Sequence, residues 1–391
     1  MGAKKKVGIM TMHRVMNYGS ALQAYALQKK VLDLGFDCEI IDYHFPNVEH
    51  LLYQNPNGIE SKESFYSYLR PLLAYCKRKV TGLNRQLDNK RLLFNAFYKD
   101  NFVLSSKQYP TRLVLEKDPP IYDIYLTGSD QVWNSKYVGY DTSFMFSFVT
   151  DNHPKVSYAA SFSAASIPEI YVSTYRNELK KYSKISVREE TGIFLVHDLT
   201  DMDAELVCDP TLLLSGSEWK KLAEKSTIKL GIKYILVYIL DYVYNPYPEI
   251  NHIVERISNI LKLPIIVIGE NRLKGAFKEK KVSSVGPYEF LYLLQNASFV
   301  ITNSFHGTAF SLNFNIPFYS IVRDKSQNDS RIYGLLQSVN AENRILVYNE
   351  KFSDVKLSKE IGTIEENIRN SIFNFREKSV DYLSKVLLSL K

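Results

Sequence analysis

Short apolar runs alternate with amphipathic segments along most of this chain, and glycine, proline or small polar residues separate them. The apolar run at residues 6–11 predicts a strand, and apolar positions at helical spacing predict a helix over residues 21–34. Gly35 ends that helix, and residues 37–43 predict a second strand. A strand, a helix and a strand in this order form a βαβ unit, so we expect the chain to open with a parallel sheet.

The same alternation restarts after a polar stretch in the middle of the chain. Residues 234–240, 264–268 and 299–301 predict strands, and residues 249–261 predict a helix between the first two. We therefore expect an α/β protein in which two Rossmann-like domains face each other across a cleft. The expected divisions are an N-terminal domain at 1–214, a linker at 215–232, a C-terminal domain at 233–345, and a helical tail at 346–391 that packs back on the N-terminal domain.

Residues 50–120 interrupt the α/β pattern with an aromatic and basic insertion that is predicted to be helical. Between Arg70 and Lys99 the chain carries eight Lys or Arg residues and a single acid, Asp88. Leucine and phenylalanine are interleaved with these charges, as in helices that lie on an anionic membrane surface. A helical hairpin with a solvated basic face has the same composition, so both interpretations stay open.

Composition and charge describe an ordinary globular protein. The chain has 391 residues, of which 45% are hydrophobic and 23% charged, and its length indicates two or three domains. The formal net charge of +7 suits small anionic substrates or an anionic membrane surface at least as well as nucleic acid. We expect no nucleic-acid partner.

The chain lacks the signals of secretion and membrane insertion. No apolar run approaches the ~18 residues of a membrane span. The three cysteines, at 38, 76 and 208, lack the spacing of a metal site and are expected to be isolated thiols in a reducing cytosol. We therefore expect a cytoplasmic protein, peripheral on the inner face of the cytoplasmic membrane if the basic insertion binds lipid.

Four polar loops follow predicted strands at their carboxyl ends, where open α/β sheets bind ligands. They cover residues 17–20, 128–130, 188–190 and 304–306. Two facing domains would bring these loops together in one cleft, which is a common place for a substrate site.

The loops carry an imidazole, a carboxylate and a guanidinium. His306 lies between a predicted strand and a short helix and suits acid or base chemistry, and Gly307 is expected to let the backbone approach a ligand closely. Asp130 suits a hydroxyl-orienting base, although a helix N-cap explains it as well. Arg188 suits bidentate contact with an anion, and a surface ion pair is nearly as good an explanation. Asp209 precedes a proline and is interpreted as a turn former.

Motifs of metal and nucleotide sites are missing from the sequence. It contains no HExxH, no DxD at a strand end, no Cys/His pairing, no Walker loop and no GxGxxG. We expect neither a metal nor a cofactor, so Arg, Lys, His and helix starts would have to stabilise negative charge.

The loops belong to a longer ordered series of motifs. In chain order these are Asn17-Tyr-Gly-Ser-Ala-Leu-Gln, Thr127-Gly-Ser-Asp-Gln-Val-Trp-Asn, Ser157-Tyr-Ala-Ala-Ser-Phe, Ser186-Val-Arg-Glu, Cys208-Asp-Pro-Thr and Asn303-Ser-Phe-His-Gly. The series resembles that of the polysaccharide pyruvyl transferase family over roughly residues 6–340. The resemblance implies a fold similar to the GT-B glycosyltransferases. It also implies transfer of the enolpyruvyl group of phosphoenolpyruvate to two sugar hydroxyls, giving a pyruvate ketal.

The resemblance assigns roles and exposes one departure. Arg188 matches the family's substrate-binding arginine, His306 matches its required histidine, and Asp130 falls in its acidic loop. The family's last motif is typically Ser-Arg-Leu-His-Gly, and this chain has Ser304 in place of the arginine that helps to bind the anionic donor. Lys325 and Arg331 are the candidates to replace that cation.

We expect His306 to act as general acid, Asp130 as the hydroxyl-orienting base, and Arg188 with Arg331 as anion clamps. The matching motifs and the replacement cations supply the expected substrate-binding residues: Asn17, Tyr18, Gly19, Ser20, Gln23, Gly128, Ser129, Trp133, Asn134, Asn303, Ser304, Gly307, Lys325 and Arg331.

The expected partners are phosphoenolpyruvate and a sugar carried on a polyprenyl diphosphate, in the synthesis of an exopolysaccharide or capsule of the cell envelope. Two other functions stay open. One is a metal-independent GT-B glycosyltransferase that uses a nucleotide sugar. The other is a non-catalytic glycan-binding member of the family that has lost donor binding together with the arginine.

Overall fold

A computed structural model of the chain contains two parallel β-sheets that are covered by helices. The structure describes residues 4–46, 83–150, 152–240, 244–269, 273–275, 278–282, 284–323, 330–348, 350, 357–358 and 361–390.

The first sheet has five strands in the order β3-β2-β1-β4-β5, and all of its pairings are parallel. The short strands β6 and β7 pair with each other and extend this sheet through bridges from Val156 to Lys184 and from Ala160 to Val187. In chain order the elements of this part are β1 (Lys6–Met10), α1 (Tyr18–Asp33), β2 (Asp37–Tyr43), α2 (Leu83–Asn101), β3 (Leu104–Tyr109), α3 (Arg112–Lys117), β4 (Ile124–Thr127), α4 (Ser135–Val138), β5 (Lys155–Ser157), α5 (Glu169–Leu179), β6 (Ile185–Val187), α6 (Glu190–Thr200), β7 (Ala204–Leu206) and α7 (Pro210–Leu213).

The second sheet has six parallel strands in the order β10-β9-β8-β11-β12-β13. The remaining elements are α8 (Gly216–Ala223), β8 (Ile235–Tyr238), α9 (Glu249–Leu261), β9 (Ile265–Ile268), β10 (Glu279–Val282), α10 (Pro287–Gln295), β11 (Phe299–Thr302), α11 (Phe305–Asn313), β12 (Phe318–Val322), α12 (Ser330–Ser338), β13 (Ile345–Val347) and α13 (Glu366–Ser389).

Both sheets have the strand order of a doubly wound, Rossmann-like domain. Counted from its own first strand, each begins 3-2-1-4-5, and the order reverses between β1 and β4 and between β8 and β11. Strands β4, β8, β9 and β11 are buried along their whole length, as in a parallel sheet with both faces covered. A crevice opens beyond the carboxyl ends of the strands at such a reversal, and it is the usual ligand position. The predicted fold class is therefore confirmed.

The segment predicted as a helical insertion at residues 50–120 is not helical throughout. Residues Leu104–Tyr109 form the edge strand β3, which pairs with β2. Ser105 and Tyr109 are buried while Ser106 and Gln108 are exposed, which is the alternation of a strand with one covered face. The polar composition of this edge strand hid that alternation, so the prediction of helix is wrong here.

Helix α2 carries the aromatic residues of the insertion into the protein rather than outward. Phe94 and Phe97 are fully buried, and the Phe97 ring meets Tyr288 of α10 edge-on at 5.1 Å. Asn101 Nδ2 donates to the Tyr288 hydroxyl at 2.7 Å, so α2 contacts the second domain. Residues 47–82, with the basic triplet Lys77, Arg78 and Lys79, lie outside the described residues. In the described ranges no helix is both long and apolar enough to cross a membrane.

Helices α8 and α13 connect the two domains. Trp219 of α8 is fully buried, and its indole Nε1 donates to the Thr211 carbonyl at 2.9 Å. Ser379 of α13 accepts a hydrogen bond from Cys208 N at 2.9 Å. The last helix therefore lies against the first domain after the chain has completed the second.

Candidate functional site

The loops after β1, β4, β6 and β11 meet where the two domains face each other. Ser20 Oγ donates to Asp130 Oδ2 at 2.5 Å, which joins two loops of the first domain. Arg188 Nη2 lies 3.8 Å from Asp130 Oδ1. From the second domain, the Phe305 ring lies under the Arg188 guanidinium, 4.5 Å from its carbon to the ring centroid. The structure thus places the four loops in one cleft.

Arg188 is a buried cation that is only partly paired. Its side chain is 1% exposed, and Nη1 donates to Asp209 Oδ2 at 2.8 Å. The Nε and Nη2 atoms are buried without a hydrogen-bond partner among the described residues. Burial alone would lower the pKa of Arg188, but the carboxylates of Asp209, Asp130 and Glu189 raise it above its usual value. The surface ion pair that the sequence left open for Arg188 is therefore wrong, because the residue is buried.

Asp209 is the acid that pairs with this arginine, and the sequence interpretation missed it. It does form the predicted turn, since its Oδ1 accepts from Thr211 N at 3.0 Å and caps α7. Its Oδ2 accepts from Ser129 Oγ at 3.1 Å as well as from Arg188. Burial opposes ionisation, yet nearby His306 and the charge of Arg188 hold the pKa of Asp209 well below its usual value. The Cys208-Asp-Pro-Thr motif was the available signal.

His306 lies in the first turn of α11, whereas the sequence predicts it in the turn between a strand and this helix. The hydroxyl of Ser304 caps this helix by accepting from Gly307 N at 3.3 Å. His306 Nε2 lies 3.7 Å from Asp209 Oδ2, which is an electrostatic contact rather than a hydrogen bond. That nitrogen is buried without a partner among the described residues. Buried polar atoms are almost always paired, so an additional group is expected at this position.

Gly19 holds the imidazole from the other side of the cleft. A Cβ atom at Gly19 would lie 1.9 Å from His306 Nδ1, so the α1 backbone packs directly on the ring. Asn17 starts α1 here, and its Oδ1 accepts from Gly19 N at 2.8 Å. Glycine is required at this position by the close approach of the two domains.

Asp130 does not cap a helix, which corrects one of the two interpretations that the sequence allowed. The next helix, α4, is capped by Asn134. Asp130 instead has a φ of 76°, a left-handed conformation that is uncommon for a residue with a side chain. Its Oδ1 accepts from Gln131 N at 3.0 Å while Oδ2 accepts from Ser20. The strained backbone aims the carboxylate at the α1 start and Arg188.

Glu189 is a second acid, and sequence reasoning assigned no role to it. It is buried, and its Oε1 accepts from Ser161 Oγ at 2.9 Å and Ser163 N at 3.0 Å. Its Oε2 lies 3.9 Å from Arg188 Nε and has no hydrogen-bond partner among the described residues. Ser161 belongs to the third sequence motif, which therefore supports the arginine indirectly.

Arg331 belongs to α12 and lies within electrostatic reach of Arg188. Burial and the like charge of Arg188 lower the pKa of Arg331, while Glu189 and Asp130 act in the opposite direction. The charges of Arg188 in the first domain and Arg331 in the second domain therefore interact. The other replacement cation, Lys325, lies outside the described residues.

Several residues that were expected to bind substrate hold the first domain together instead. Trp133 is fully buried, and its ring packs against Phe162 at 5.2 Å between centroids, so it does not line the cleft. Gln23 Nε2 donates to Thr11 Oγ1 at 2.8 Å. The remaining two are Gly128, which packs closely on Thr11, and Asn134, which caps α4.

Three more of these residues position the second domain. Tyr18 of α1 stacks on Phe290 with centroids 4.5 Å apart, which makes it a contact between the domains. Asn303 pairs with the Leu240 backbone and fixes the loop after β8. A Cβ at Gly307 would lie 2.5 Å from Thr302 Oγ1, so this glycine serves helix-to-strand packing rather than approach to a ligand.

The cleft combines buried charges with polar atoms that have no hydrogen-bond partner among the described residues. Arg188 offers two unpaired nitrogen atoms and His306 offers one. The described residues include no cluster of three His, Cys, Asp or Glu side chains that could hold a metal ion.

A family model for polysaccharide pyruvyl transferases matches residues 17–325, a range that contains all four cleft loops. The chain belongs to the polysaccharide pyruvyl transferase family. As a member of this family, the protein is a transferase that takes part in polysaccharide modification. A search of curated proteins finds no match to it.

Solved structures share the fold of this family member at low sequence identity. The UDP-GlcNAc 2-epimerase of Methanocaldococcus jannaschii superposes with a TM-score of 0.56 at 14% identity, covering 99% of this chain and 100% of the epimerase. S. aureus MnaA in a co-structure with UDP gives a TM-score of 0.54 at 11% identity, covering 100% of this chain and 98% of MnaA. These likenesses show the fold alone, which is the two-domain GT-B architecture.

Proposed function

We propose that this protein transfers the enolpyruvyl group of phosphoenolpyruvate to a sugar of a cell-surface polysaccharide precursor and forms a pyruvate ketal. The observation that carries the proposal is the buried Arg188, whose Nε and Nη2 atoms lack partners and which shares the cleft with Arg331. Family membership supports the reaction type.

The donor's two anionic groups match two cations. Phosphoenolpyruvate carries a phosphate and a carboxylate, and each is best bound by a guanidinium fork. Arg188 comes from the first domain, and Arg331 comes from the second. Ser304, which stands where the family typically has arginine, caps α11 and contributes no charge. Arg331 therefore takes over the charge that the last motif lacks.

His306 supplies the proton that starts the reaction. Protonation of the donor's methylene carbon leaves positive charge on the adjacent carbon, and a sugar hydroxyl oxygen attacks that carbon. The C–O bond to phosphate breaks, a second hydroxyl oxygen forms the other ketal bond, and the two hydroxyl protons replace the proton given by His306 and protonate the released phosphate. The ionised Asp209, 3.7 Å from His306 Nε2, stabilises the imidazolium before transfer. Asp130, which accepts from Ser20 Oγ, orients the attacking hydroxyl.

The acceptor in this proposal is a sugar on a polyprenyl diphosphate at the inner face of the cytoplasmic membrane. Incubating the protein with phosphoenolpyruvate and a panel of such lipid-linked sugars should release inorganic phosphate. It should also add one pyruvate ketal to the mass of one acceptor. Phosphate release only in the presence of acceptor is the expected control result. Transfer from a nucleotide sugar instead, with no use of phosphoenolpyruvate, would replace this function by the glycosyltransferase one.

A further inference from the structure

A second basic cavity lies away from the cleft, at the other end of α11. It has a volume of about 230 Å³ and is enclosed by the start of α8, the end of α11 and one side of α13. His306 is in the first turn of α11, and this cavity adjoins its last residue, Asn313, so roughly 10 Å of helix separates the two sites. The proposed transfer reaction uses no residue of this cavity.

Three cations converge on the cavity, and no described acid lines it. They are Lys220 of α8 and Arg369 and Arg376 of α13, and the described residues that line the cavity include neither Asp nor Glu. None of the three forms an ion pair with a described residue. Unpaired cations around a concave surface concentrate anions there.

Arg376 is held in place by the protein, which fixes one side of the cavity. Its Nε donates to the Leu212 carbonyl at 2.5 Å, and its Nη2 donates to Asn313 Oδ1 at 2.8 Å. Both hydrogen bonds are to neutral oxygen atoms, and the carboxylates of Glu218 and Glu377 act on this guanidinium without a salt bridge. Lys220 and Arg369 are exposed and free to move toward a ligand.

The walls of the cavity are partly aromatic. Phe314 and Phe373 line it, and Phe373 is 56% exposed despite being a large apolar side chain. Cations and exposed aromatic rings together suit an anion that also carries an organic group.

We propose that this cavity binds a small phosphate ester, with the phosphate on Lys220, Arg369 and Arg376 and the organic part on the two phenylalanines. The competing explanation is that the cations only balance the negative end of α11, where a positive charge stabilises the helix. That role would affect stability and would involve no ligand.

The test uses phenyl phosphate as probe and the acylation of Lys220 as a readout that reports on this cavity alone. In the full-length protein the probe should protect Lys220 from acetic anhydride, whereas the neighbouring Lys221, which does not line the cavity, should react as before. Equal reactivity of Lys220 with and without the probe would overturn the proposal.

Variants on α13 separate a site from general surface charge. Arg369→Gln should raise the phenyl phosphate concentration needed for half-protection by at least about tenfold, because it removes one charged hydrogen bond. Lys378→Gln is the matched control, since Lys378 is an exposed cation of the same helix that does not line the cavity.

Phe373→Ala should weaken protection by phenyl phosphate more than protection by inorganic phosphate. Equal effects of Arg369→Gln and Lys378→Gln would reduce the cavity to a basic surface, and a loss of thermal stability without a change in protection would assign the cations to α11.

Discussion

At the scale of single residues, the cleft depends on one imidazole nitrogen that the protein leaves unpaired. His306 Nε2 is buried and 3.7 Å from Asp209 Oδ2. Replacing His306 by Gln keeps a polar side chain of similar length but removes the acid. Turnover with phosphoenolpyruvate should fall by about 10²–10⁴-fold, the usual contribution of general acid catalysis.

Thermal unfolding of the same variant is the control for this prediction. His306→Gln should unfold within a few degrees of the original protein, because His306 Nε2 has no hydrogen-bond partner among the described residues that the variant would lose. If a folded His306→Gln protein keeps full turnover, the acid is another residue.

The lowered pKa of Asp209 predicts that the stability of the protein depends on pH. Its pKa is held well below the usual value in the folded protein, so the ionised form is favoured by folding. The resulting stabilisation is fully present above the unfolded-state pKa of ~3.9 and is lost as the pH falls through the folded-state pKa. Asp209→Asn should therefore be less stable than the original protein near neutral pH, by about 1–3 kcal/mol, because it removes the one carboxylate that is hydrogen-bonded to the buried Arg188 while Asp130 and Glu189 stay within 4 Å.

Urea unfolding of the original protein and of Asp209→Asn between pH 7 and pH 3 tests this pH dependence. The difference in free energy of unfolding should be constant down to about pH 5 and then shrink as the medium becomes more acidic. A difference that grows on acidification would mean that Asp209 is not ionised in the folded protein.

The sequence located the four loops that meet in the cleft, because each follows a strand, and it missed contacts between residues that are distant along the chain. Asp209 caps a helix locally, as its neighbours predict, and its contact with Arg188 depends on the packing of two separate strands. Trp133 was misassigned because a tryptophan beside a polar loop has the same local sequence whether its ring points to a core or to a ligand.

At the scale of elements, the start of α1 fixes the position of the His306 ring. Gly19→Ala would place a methyl group where the ring of His306 lies, with 1.9 Å to Nδ1. We expect the ring to be displaced and turnover to fall by at least tenfold, since small misplacements of reacting groups are costly. Gly231→Ala is the control, because a Cβ there meets no atom within 4 Å.

Steady-state kinetics measures the turnover of Gly19→Ala and Gly231→Ala, and circular dichroism shows whether both variants fold. Both should fold, and only Gly19→Ala should lose turnover. Equal activity of the two variants would show that His306 tolerates movement or takes no part in the reaction.

The elements themselves were largely predictable, because apolar runs and helical spacing are local properties. The strands around β1, β8 and β11 lie where the apolar runs indicated. The helix starts were less accurate, since α1 begins at Tyr18, three residues before the predicted start at residue 21. Strand β3 was missed because its polar side chains are tolerated at an edge and carry little apolar signal.

At the scale of the whole molecule, two similar sheets face each other and each contributes part of the site. Their strand order follows from alternating strands and helices, which a sequence displays. The way in which the two domains meet cannot be read from that alternation, because contacts such as Tyr18 on Phe290 join residues that are far apart in the chain. The proposed donor site takes residues from both domains, so it depends on how the two domains assemble.

The last prediction concerns the cation that the second domain supplies. If Arg331 completes the donor site, Arg331→Ala should weaken phosphoenolpyruvate binding by at least tenfold, the cost of one charged contact. Arg91→Ala, which removes an exposed arginine of α2, is the matched control and should bind as before. Isothermal titration calorimetry with phosphoenolpyruvate measures both.

Ser304→Arg, the complementary change, restores the family's usual residue. It should add little affinity while Arg331 is present, and it should cost about 1 kcal/mol of stability because Ser304 caps α11. In the Arg331→Ala background the same change should recover part of the lost binding, since either cation can then face the donor. If Arg331→Ala binds phosphoenolpyruvate normally and Ser304→Arg creates binding that the original protein lacks, the chain does not use this donor. The cleft would then belong to a glycosyltransferase or to a glycan-binding member of the family.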